Sequence, residues 1–526
     1  MSLKGIISTI NLLIINSCLA QDKLPSAYAD LIDPISSKKH LTIIASDEYE
    51  GRETGTKGAD KAATYIAKEF SRLGLKAPVN NSYFQPVELA KKTFTVDRFK
   101  VGDHTLQHEK DFLLISQKQK QDIQADEIVF IGYGISDKGY DDLAKLDIRG
   151  KTVLLLNEDE PRDANGTSII TGQAKGSLWS TSNSKRIQHI VSKQPKLILA
   201  VSESTDTLMQ QVKGKRRADR IRLKEDLILD STHSDSSPTI AYLPPRTANL
   251  ILASLGSSLE QLKQEITERR KPASKAFKTS LSLSFGYKIV DVKAQNVLGY
   301  LEGTDLKDEL LVITAHYDHI GINPDGQINN GADDDGSGVT GVLEIAKAFA
   351  QAKKDGHPPR RSILFMTVTG EEKGLLGSDY YTRHPVLPLG STIANLNIDM
   401  IGRIDPAHFS KKEYVYLVGS DKLSSELHRI SEDANKRYTR LDLDYRYNDP
   451  NDPERIYYRS DHYNFAKNNI PVIFYFNGVH EDYHDVGDTV DKIDFRLLSK
   501  RAQLVFYTAW DLVTRDTKPI VDSNKK

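Results

Sequence analysis

The sequence predicts an α/β fold for residues 286–526, with helices flanking a sheet. Three observations lead to this prediction. From about Val290 onward, short apolar runs alternate with helical patterns in the manner of βαβ units. Four of these runs lead to a histidine or a carboxylate, and ligands of open α/β sheets bind at the carboxyl ends of strands. The chain of 526 residues is long enough for about three domains at roughly 150 residues each.

The composition narrows the function classes. The chain has 71 Lys and Arg residues against 72 Asp and Glu residues, a net charge of -1. This balance gives no global attraction to nucleic acid or to an anionic membrane surface, so we expect neither as a partner. Ordinary counts of 33 Gly and 20 Pro exclude a collagen-like or mainly disordered chain. Apolar stretches after the N-terminus are shorter than the roughly 18 residues of a membrane span, so we expect no span.

The first 20 residues have the pattern of a secretory signal peptide. Lys4 precedes an apolar run over residues 6–20, interrupted only by small or neutral polar residues. Cleavage after Ala20 would give an exported protein, periplasmic or extracellular. Residues 15–18 also resemble a loose bacterial lipobox, so a lipid anchor on Cys18 is the alternative. Since Cys18 is the single cysteine, cleavage after Ala20 would leave a chain without disulfides.

Changes in the hydrophobic pattern divide the rest of the chain into three regions. Residues 21–124 form a mainly helical region, in which apolar residues recur at helical spacing from Ala59 to Leu73 and end at Gly74. Residues 125–285 contain short β-like runs and are predicted to form a β-rich domain, and residues 286–526 form the α/β domain. The β-like runs are residues 127–133, 151–157, 196–202 and 239–243.

The candidate site residues follow the strand-like runs of the last region. Because the carboxyl ends of neighbouring parallel strands meet at one edge of a sheet, these residues predict one shared site. His316 and Asp318 follow the run 309–314, Glu371 and Glu372 follow 363–368, Asp399 follows 394–398, and Tyr483 and His484 lie beyond 471–476.

An Asp-rich loop adds further carboxylates. Residues 331–338 contain Asp333, Asp334 and Asp335, and they open a helix that continues through Phe349. Crowded carboxylates raise one another's pKa, and bound cations remove that problem. With Asp334, Glu372, Asp399, His316 and His484 as ligands, two divalent ions bring about +4 against -3, and the excess favours ionisation of a bound water.

Each segment also has a simpler interpretation. His316 with Asp318 could be a satisfied pair at a strand end, and Glu371 with Glu372 could be solvated carboxylates at a helix start. Asp494 is expected to be only the N-cap of the apolar-periodic segment 495–510. The Asp-rich loop could be a calcium-binding EF-hand loop that ends at Glu344. Against this, the segment upstream of the loop reads as loop rather than helix.

Taken together, the segments resemble the zinc peptidases of family M28, chiefly its secreted aminopeptidases. The order and spacing of all five ligand segments agree with that family. Residues 51–58 resemble the helical N-terminal part of its catalytic domain, and residues 128–153 resemble the protease-associated domain often inserted there. The catalytic segments are residues 314–321, 331–338, 370–378, 397–402 and 460–462, His484, and Asp488 with Thr489.

The resemblance implies a phosphorylase/hydrolase-like mixed sheet flanked by helices, with an inserted β-rich protease-associated domain. It also implies a role for each site residue. His316 and Asp399 would hold one zinc ion, Glu372 and His484 the second, and Asp334 would bridge the two Zn2+ ions. Glu371 would be the general base, Asp318 would orient the His316 imidazole, and Tyr483 would assist the oxyanion; residues 460–462 would shape the substrate side or be structural.

The implied reaction is hydrolysis of the N-terminal peptide bond of a peptide or protein, with a water activated by two zinc ions. Alternatives on the same scaffold are a carboxypeptidase, for which the sequence shows no basic pocket, and a glutaminyl cyclase, which would use one zinc ion. A non-catalytic binding protein and a calcium-stabilised surface module are alternatives of other classes. The sequence indicates neither the side-chain preference nor the oligomeric state.

Overall fold

The computed structural model describes residues 24–116, 118–214, 220–229 and 237–523. The predicted signal peptide and Cys18 lie outside the described residues. The chain forms two compact units: the first contains residues up to Leu89, Arg222–Lys224 and the chain from Asp291, and the second contains Ala90–Ile221 and Glu225–Val290. Within the described ranges, no helix combines the length and the apolar character needed to cross a membrane.

The first unit is built on a mixed sheet. The strand Leu306–His316 pairs in parallel with Arg361–Val368 on one side and with Thr392–Ile398 on the other. Thr392–Ile398 pairs in parallel with Val472–Phe476. Side chains of these four strands are buried nearly throughout, as expected for strands covered on both faces. Tyr414–Val418 pairs antiparallel with Val472–Phe476 and in parallel with Asp442–Asp444. Residues 297–301 pair antiparallel with Arg361–Val368.

Helices flank this sheet, which confirms the predicted α/β class. The helix Gly338–Lys354 is buried along most of its length. The helix Phe495–Thr514 begins at the predicted N-cap, where the Asp494 side chain accepts a hydrogen bond from the backbone N of Leu497. Further α-helices of this unit include Pro34–Ile44, Lys57–Leu73, Leu376–Arg383, Ser425–Ala434 and His462–Ala466.

The helical interpretation of residues 21–124 holds only for its first part. Lys57–Leu73 is a helix that ends at Gly74 with a φ of 79°, as the sequence predicts. Beyond it, Phe84–Val101 is a strand, followed by the short strands His104–Thr105 and Leu113–Leu114. At the start of Phe84–Val101, buried and exposed residues alternate with a period of two, which is a strand pattern and not a helical one.

The second unit contains each β-like run that the sequence predicts between 125 and 285, with helices between them. The strand Lys120–Phe130 pairs antiparallel with the first part of Lys275–Leu301 and in parallel with Thr152–Leu156. Thr152–Leu156, Leu197–Val201 and Thr239–Leu243 continue in parallel. The α-helices described wholly within this unit are Asn183–Ser192, Thr205–Gly214, Pro245–Leu252 and Leu259–Arg269. The unit therefore contains more helix than the prediction of a β-rich domain implies.

Candidate metal centre

The predicted ligands lie where neighbouring parallel strands of the first unit end. His316 is the last residue of the central strand, and Asp399 follows directly after the strand beside it. Glu371 and Glu372 lie in the turn after the strand on its other side. His484 lies in the loop beyond the fourth strand. Parallel strands that end at one edge of the sheet therefore bring these side chains together.

Asp334 lies between two groups of predicted ligands. Its Oδ1 lies 3.2 Å from Nε2 of His316, and its Oδ2 lies 3.2 Å from Nε2 of His484. On the first side, His316 Nε2 lies 3.6 Å from Oδ2 of Asp399. On the second side, His484 Nε2 lies 3.0 Å from Oε2 of Glu372. The two oxygens of one carboxylate thus face two separate histidine and carboxylate pairs.

These separations suit zinc. Two ligand atoms about 2.0 to 2.2 Å from one tetrahedral zinc ion lie roughly 3.3 to 3.6 Å apart. The contacts around Asp334 span 3.0 to 3.6 Å, so small adjustments would satisfy that geometry. Imidazole nitrogens and carboxylate oxygens are also ligands that zinc prefers. Oε1 of Glu372 is buried without a hydrogen bond from the described residues, as expected of an oxygen that serves as a metal ligand. The residues therefore fit zinc.

The electrostatics also favour a cation at this site. Burial raises the pKa of Asp335 and of Glu371 well above their usual values, and neighbouring carboxylates add to both shifts. Burial opposes ionisation of Asp334, but its hydrogen bonds with His316 and His484 hold its pKa well below the usual range. For His316, the nearby Asp399 and Glu371 outweigh burial and raise the pKa. Several buried carboxylates thus crowd together here, and divalent cations would stabilise their ionised forms.

Asp318 contacts the site in a different way from the one that the resemblance implies. The His316 Nδ1 lies 3.0 Å from the backbone carbonyl of Asp318, whereas the Asp318 carboxylate Oδ1 is 3.8 Å away. The carboxylate instead accepts hydrogen bonds from Thr54 Oγ1, at 2.8 Å, and from the backbone N of Glu371, at 3.2 Å. Asp318 therefore orients the imidazole through its carbonyl and fixes the turn of Glu371 through its side chain.

Tyr483 and Glu371 face a pocket beside the ligands. The Tyr483 ring stacks on His484 with a centroid separation of 3.9 Å. Nη2 of Arg459 donates to the Tyr483 hydroxyl oxygen at 3.3 Å. The rest of the pocket lining combines the predicted ligands His316, Asp334 and Asp399 with the apolar side chains of Met400, Ile456, Phe474, Phe476 and Val479.

Ser460 belongs to the support of the site. Its hydroxyl donates to Oδ2 of Asp399 at 2.6 Å and accepts a hydrogen bond from Nδ2 of Asn397 at 2.8 Å. This contact fixes the carboxylate that the sequence assigns as a ligand. Asp461 accepts a hydrogen bond from the Ser378 hydroxyl, and burial raises its pKa to about 7. Residues 460 and 461 thus have a structural role beside the pocket, because they hold neighbouring side chains through hydrogen bonds.

The Asp-rich loop does not have the arrangement of an EF-hand. The Asp335 carboxylate accepts hydrogen bonds from the backbone N–H groups of His316, Gly338 and Met400, at 3.1, 2.8 and 3.1 Å. Glu344, the predicted last calcium ligand, is buried against Ser36 and Lys347. Since the Asp335 and Glu344 carboxylates bind separate partners, they do not enclose one ion, and the EF-hand interpretation of this loop is wrong.

The sequence analysis missed the structural role of Arg52. Its buried guanidinium donates to backbone carbonyls of both the strand end and the Asp-rich loop. Its Nε donates a hydrogen bond to the carbonyl of Tyr317 at 2.8 Å, and Nη2 donates to that of Gly331 at 2.8 Å. Its Nη1 donates to the carbonyls of Ile44 at 3.0 Å and Asn330 at 2.6 Å. Its position in the segment 51–58, which resembles the family, was the available signal. The sequence could not show its partners, because they lie up to 279 residues away.

The sequence analysis also left His319 without a role. The residue lies three positions after His316, in the same segment. Its Nδ1 is 2.9 Å from Oε1 of Glu372 and 3.7 Å from Oδ2 of Asp334. These three side chains can form a cation-binding group, as can His316, Asp334 and Asp399. A second histidine so close to the first was the available signal.

Comparisons with known proteins relate part of this chain to a peptidase family. The model of "Peptidase family M28" matches residues 296–509. A "Probable glutamate carboxypeptidase AMP1" from Arabidopsis thaliana is 32% identical over 167 residues, which are 31% of this chain and 23% of that protein. "Aminopeptidase YwaD" from Bacillus subtilis (strain 168) is 26% identical over 285 residues, 53% of this chain and 56% of that protein.

The chain thus spans about half or less of the length of these relatives. Among solved structures, an aminopeptidase from Aneurinibacillus sp. strain AM-1 aligns over 95% of this chain and 98% of its own, with 17% identity and a TM-score of 0.46. The family match begins just before the strand that ends in His316 and extends past His484. Residues 296–509 of this chain therefore form a domain of peptidase family M28.

Proposed function

We propose that the protein is a zinc-dependent aminopeptidase that hydrolyses the N-terminal peptide bond of peptides or proteins with two zinc ions. The observation that carries this proposal is the position of Asp334, whose two oxygens each lie 3.2 Å from a different histidine. A carboxylate between two ligand pairs is the arrangement needed to bridge two ions. The name of the relative from Bacillus subtilis, an aminopeptidase, gives further support.

In this proposal the five ligands divide into two sets. His316 and Asp399 would hold one zinc ion, Glu372 and His484 the other, and Asp334 would bridge them. When bound, the ions would polarise the scissile carbonyl and activate a water. Ser460 keeps the Asp399 oxygen in place through its 2.6 Å hydrogen bond, which supports the role of Asp399 as a ligand.

Glu371 would act as the general base. It lines the pocket, and its Oε2 lies 3.9 Å from Nε2 of His316. Its carboxylate would take a proton from the attacking water and pass that proton to the leaving amine nitrogen. The hydrogen bond from its backbone N to Asp318 fixes the turn and so holds the carboxylate toward the pocket. With 11% of its side chain exposed, the Glu371 carboxylate is largely shielded from bulk solvent.

Tyr483 would stabilise the oxyanion of the tetrahedral intermediate. Because Arg459 donates to the phenolic oxygen, the Tyr483 O–H proton stays free to donate to another acceptor. The positive charge of Arg459 also opposes the rise in the Tyr483 pKa that burial causes. This pair therefore offers a hydrogen-bond donor at the pocket that holds the reacting group.

A carboxypeptidase is the second candidate. Arg459 brings a cationic group to the pocket that the sequence did not reveal, and such a group could bind a substrate carboxylate. The plant relative is named a probable glutamate carboxypeptidase. The apolar walls formed by Met400, Ile456 and Phe474 favour instead an uncharged side chain in this pocket.

A panel of peptide substrates tests these alternatives. Fluorogenic amides of leucine, phenylalanine, glutamate and lysine are compared with their N-acetyl forms and with N-blocked dipeptides that have a free carboxylate. The aminopeptidase proposal expects hydrolysis of free-amine substrates only, with loss of activity in a chelator and recovery on zinc addition. Cleavage of the N-blocked dipeptides alone would instead establish the carboxypeptidase.

Replacement of His484 by alanine tests the metal assignment. The variant loses a ligand whose nitrogen lies within 3.2 Å of both Asp334 and Glu372. We expect the zinc affinity of one of the two sites to fall by more than about 100-fold, since loss of an orienting partner alone costs 10- to 100-fold. Chelator titration followed by elemental analysis should then remove one zinc ion per chain at a much lower chelator concentration than in the native protein.

His357→Ala is the matched control, since His357 is an exposed histidine of the same unit. It should retain the zinc content of the native chain. If both zinc ions of His484→Ala resisted the chelator as they do in the native chain, this histidine would not be a ligand.

A further inference from the structure

We propose that His319 is an additional zinc ligand, which joins His484, Glu372 and Asp334 through its Nδ1 atom. This inference rests on the proposed two-zinc site and assigns it a third histidine. The resulting site is unequal: one ion is held by four side chains and the other by three.

The surroundings of the His319 ring indicate this role. The side chain is fully buried, with 0% of its surface exposed. Neither ring nitrogen makes a hydrogen bond with the described residues, and neither does Oε1 of Glu372. Nδ1 and that oxygen are nevertheless only 2.9 Å apart, so the angle rather than the distance rules out a hydrogen bond. A buried imidazole whose ring nitrogens make no hydrogen bond is unfavourable, and a cation between Nδ1 and the Glu372 oxygen would remove the penalty.

The chain holds the ring against the site. The backbone N of His319 donates a hydrogen bond to the carbonyl of Arg52 at 3.2 Å. This bond fixes the backbone from which the imidazole extends. The ring lies directly over Gly331, where an added Cβ atom would lie 2.5 Å from the ring atoms Cγ and Cδ2. Gly331 also has a φ of 57°, which favours glycine. Glycine at this position therefore gives the imidazole room beside Asp334.

The alternative is that His319 only positions Glu372 by donating a hydrogen bond to it. Two features favour the ligand role. The ring N–H does not point at the Glu372 oxygen, and Nδ1 also lies 3.7 Å from Oδ2 of Asp334. A cation near both oxygens explains both separations, whereas a hydrogen bond to Glu372 explains only one.

The ligand role also explains on which side the substrate approaches. The pocket is lined by His316, Asp334, Asp399 and Glu371. His319 belongs to the other cation-binding group, with Asp334 and Glu372. Catalytic zinc sites keep a position open, whereas structural sites are closed by four protein ligands. The group with His319 would accordingly hold its ion more tightly, and the group at the pocket would keep the open position.

Two variants separate a ligand from a positioning residue. His319→Ala removes the imidazole, and His319→Asn keeps an N–H donor close to the place of Nδ1 without its ligating nitrogen. Chelator titration of the zinc-loaded proteins, followed by metal analysis, should show zinc affinity at one site reduced by at least about 100-fold in both variants. Native affinity in His319→Asn would overturn the ligand proposal, because a donated hydrogen bond would then suffice.

A second measurement uses the unsubstituted protein and avoids any folding defect of the variants. Each histidine bound to cobalt(II) presents its remaining ring N–H as an exchangeable, hyperfine-shifted proton resonance. The cobalt-loaded protein should give three such resonances, from His316, His319 and His484. Two resonances with two bound ions would reject the role of His319 and leave the proposed function intact, whereas failure to bind two ions would reject both.

Discussion

Glu371→Ala is expected to keep both zinc ions and to lose nearly all turnover. The side chain lines the pocket and is not part of either cation-binding group, so its removal leaves every assigned ligand in place. We expect kcat to fall by about 10⁴-fold, the upper range for loss of a general base. KM should change little, because the carboxylate acts on the proton of the water and not on substrate binding.

The measurement combines steady-state kinetics with elemental analysis on the same preparation. Glu48→Ala, which removes a glutamate with 73% of its side chain exposed in the same unit, is the matched control and should retain native rates. Glu371→Gln should be as inactive as the alanine variant, since the amide cannot accept the proton. A Glu371 variant that turned over at the native rate with two zinc ions bound would exclude this residue as the base.

The ligand-bearing strands could be predicted from the sequence because their signals are local. Each is a continuous apolar run of strand length, followed within a few residues by a histidine or a carboxylate. In the structure, Leu306–His316 and Thr392–Ile398 are buried near their carboxyl ends, so apolar side chains were required there. Tertiary context could therefore add little to the assignment of these elements.

Residues whose role depends on distant partners could not be predicted in the same way. Arg52 is surrounded in sequence by polar and glycine residues, and only the fold shows that the Tyr317 and Gly331 carbonyls surround its guanidinium. The carbonyl of Asp318, rather than its carboxylate, contacts His316, and a sequence gives no information about backbone direction. His319 could be noticed but not assigned, because its orientation depends on the space over Gly331.

The start of the second unit is a third feature that the sequence did not predict. Its strands were predicted, but the start of the second unit at Ala90 was not, because Phe84–Val101 continues from the first unit into the second. A strand that crosses between units produces no turn or change of composition at the boundary. Only the pattern of contacts reveals the division.

Arg52→Met is expected to cause the largest loss of stability among single substitutions at the supporting residues. The guanidinium is fully buried, and its hydrogen bonds satisfy the carbonyls of Ile44, Tyr317, Asn330 and Gly331. Methionine fills similar volume but leaves these carbonyls without a donor, each at a cost of roughly 1–3 kcal/mol before the structure relaxes. We expect the free energy of unfolding of the first unit to fall by about 3–5 kcal/mol.

Urea unfolding of the zinc-free protein measures this change, and Arg72→Met is the control. Arg72 has 60% of its side chain exposed and pairs with Glu69 on the helix surface, so its loss should cost less than about 1 kcal/mol. An Arg52→Met variant as stable as the control would show that these carbonyls do not depend on the guanidinium.

The same substitution should also weaken zinc binding, although Arg52 contacts none of the five assigned ligands through a hydrogen bond. It holds the carbonyls of Tyr317, next to His316, and of Gly331, at the start of the loop that carries Asp334. Burial lowers the pKa of Arg52, while Asp334 and Asp488 counteract that shift and keep the guanidinium charged. Loss of this cation removes a charge that balances the ligand carboxylates and also frees the loop. If the geometric role dominates, Arg52→Lys, which keeps the charge but not the planar set of donors, should bind zinc as weakly as Arg52→Met.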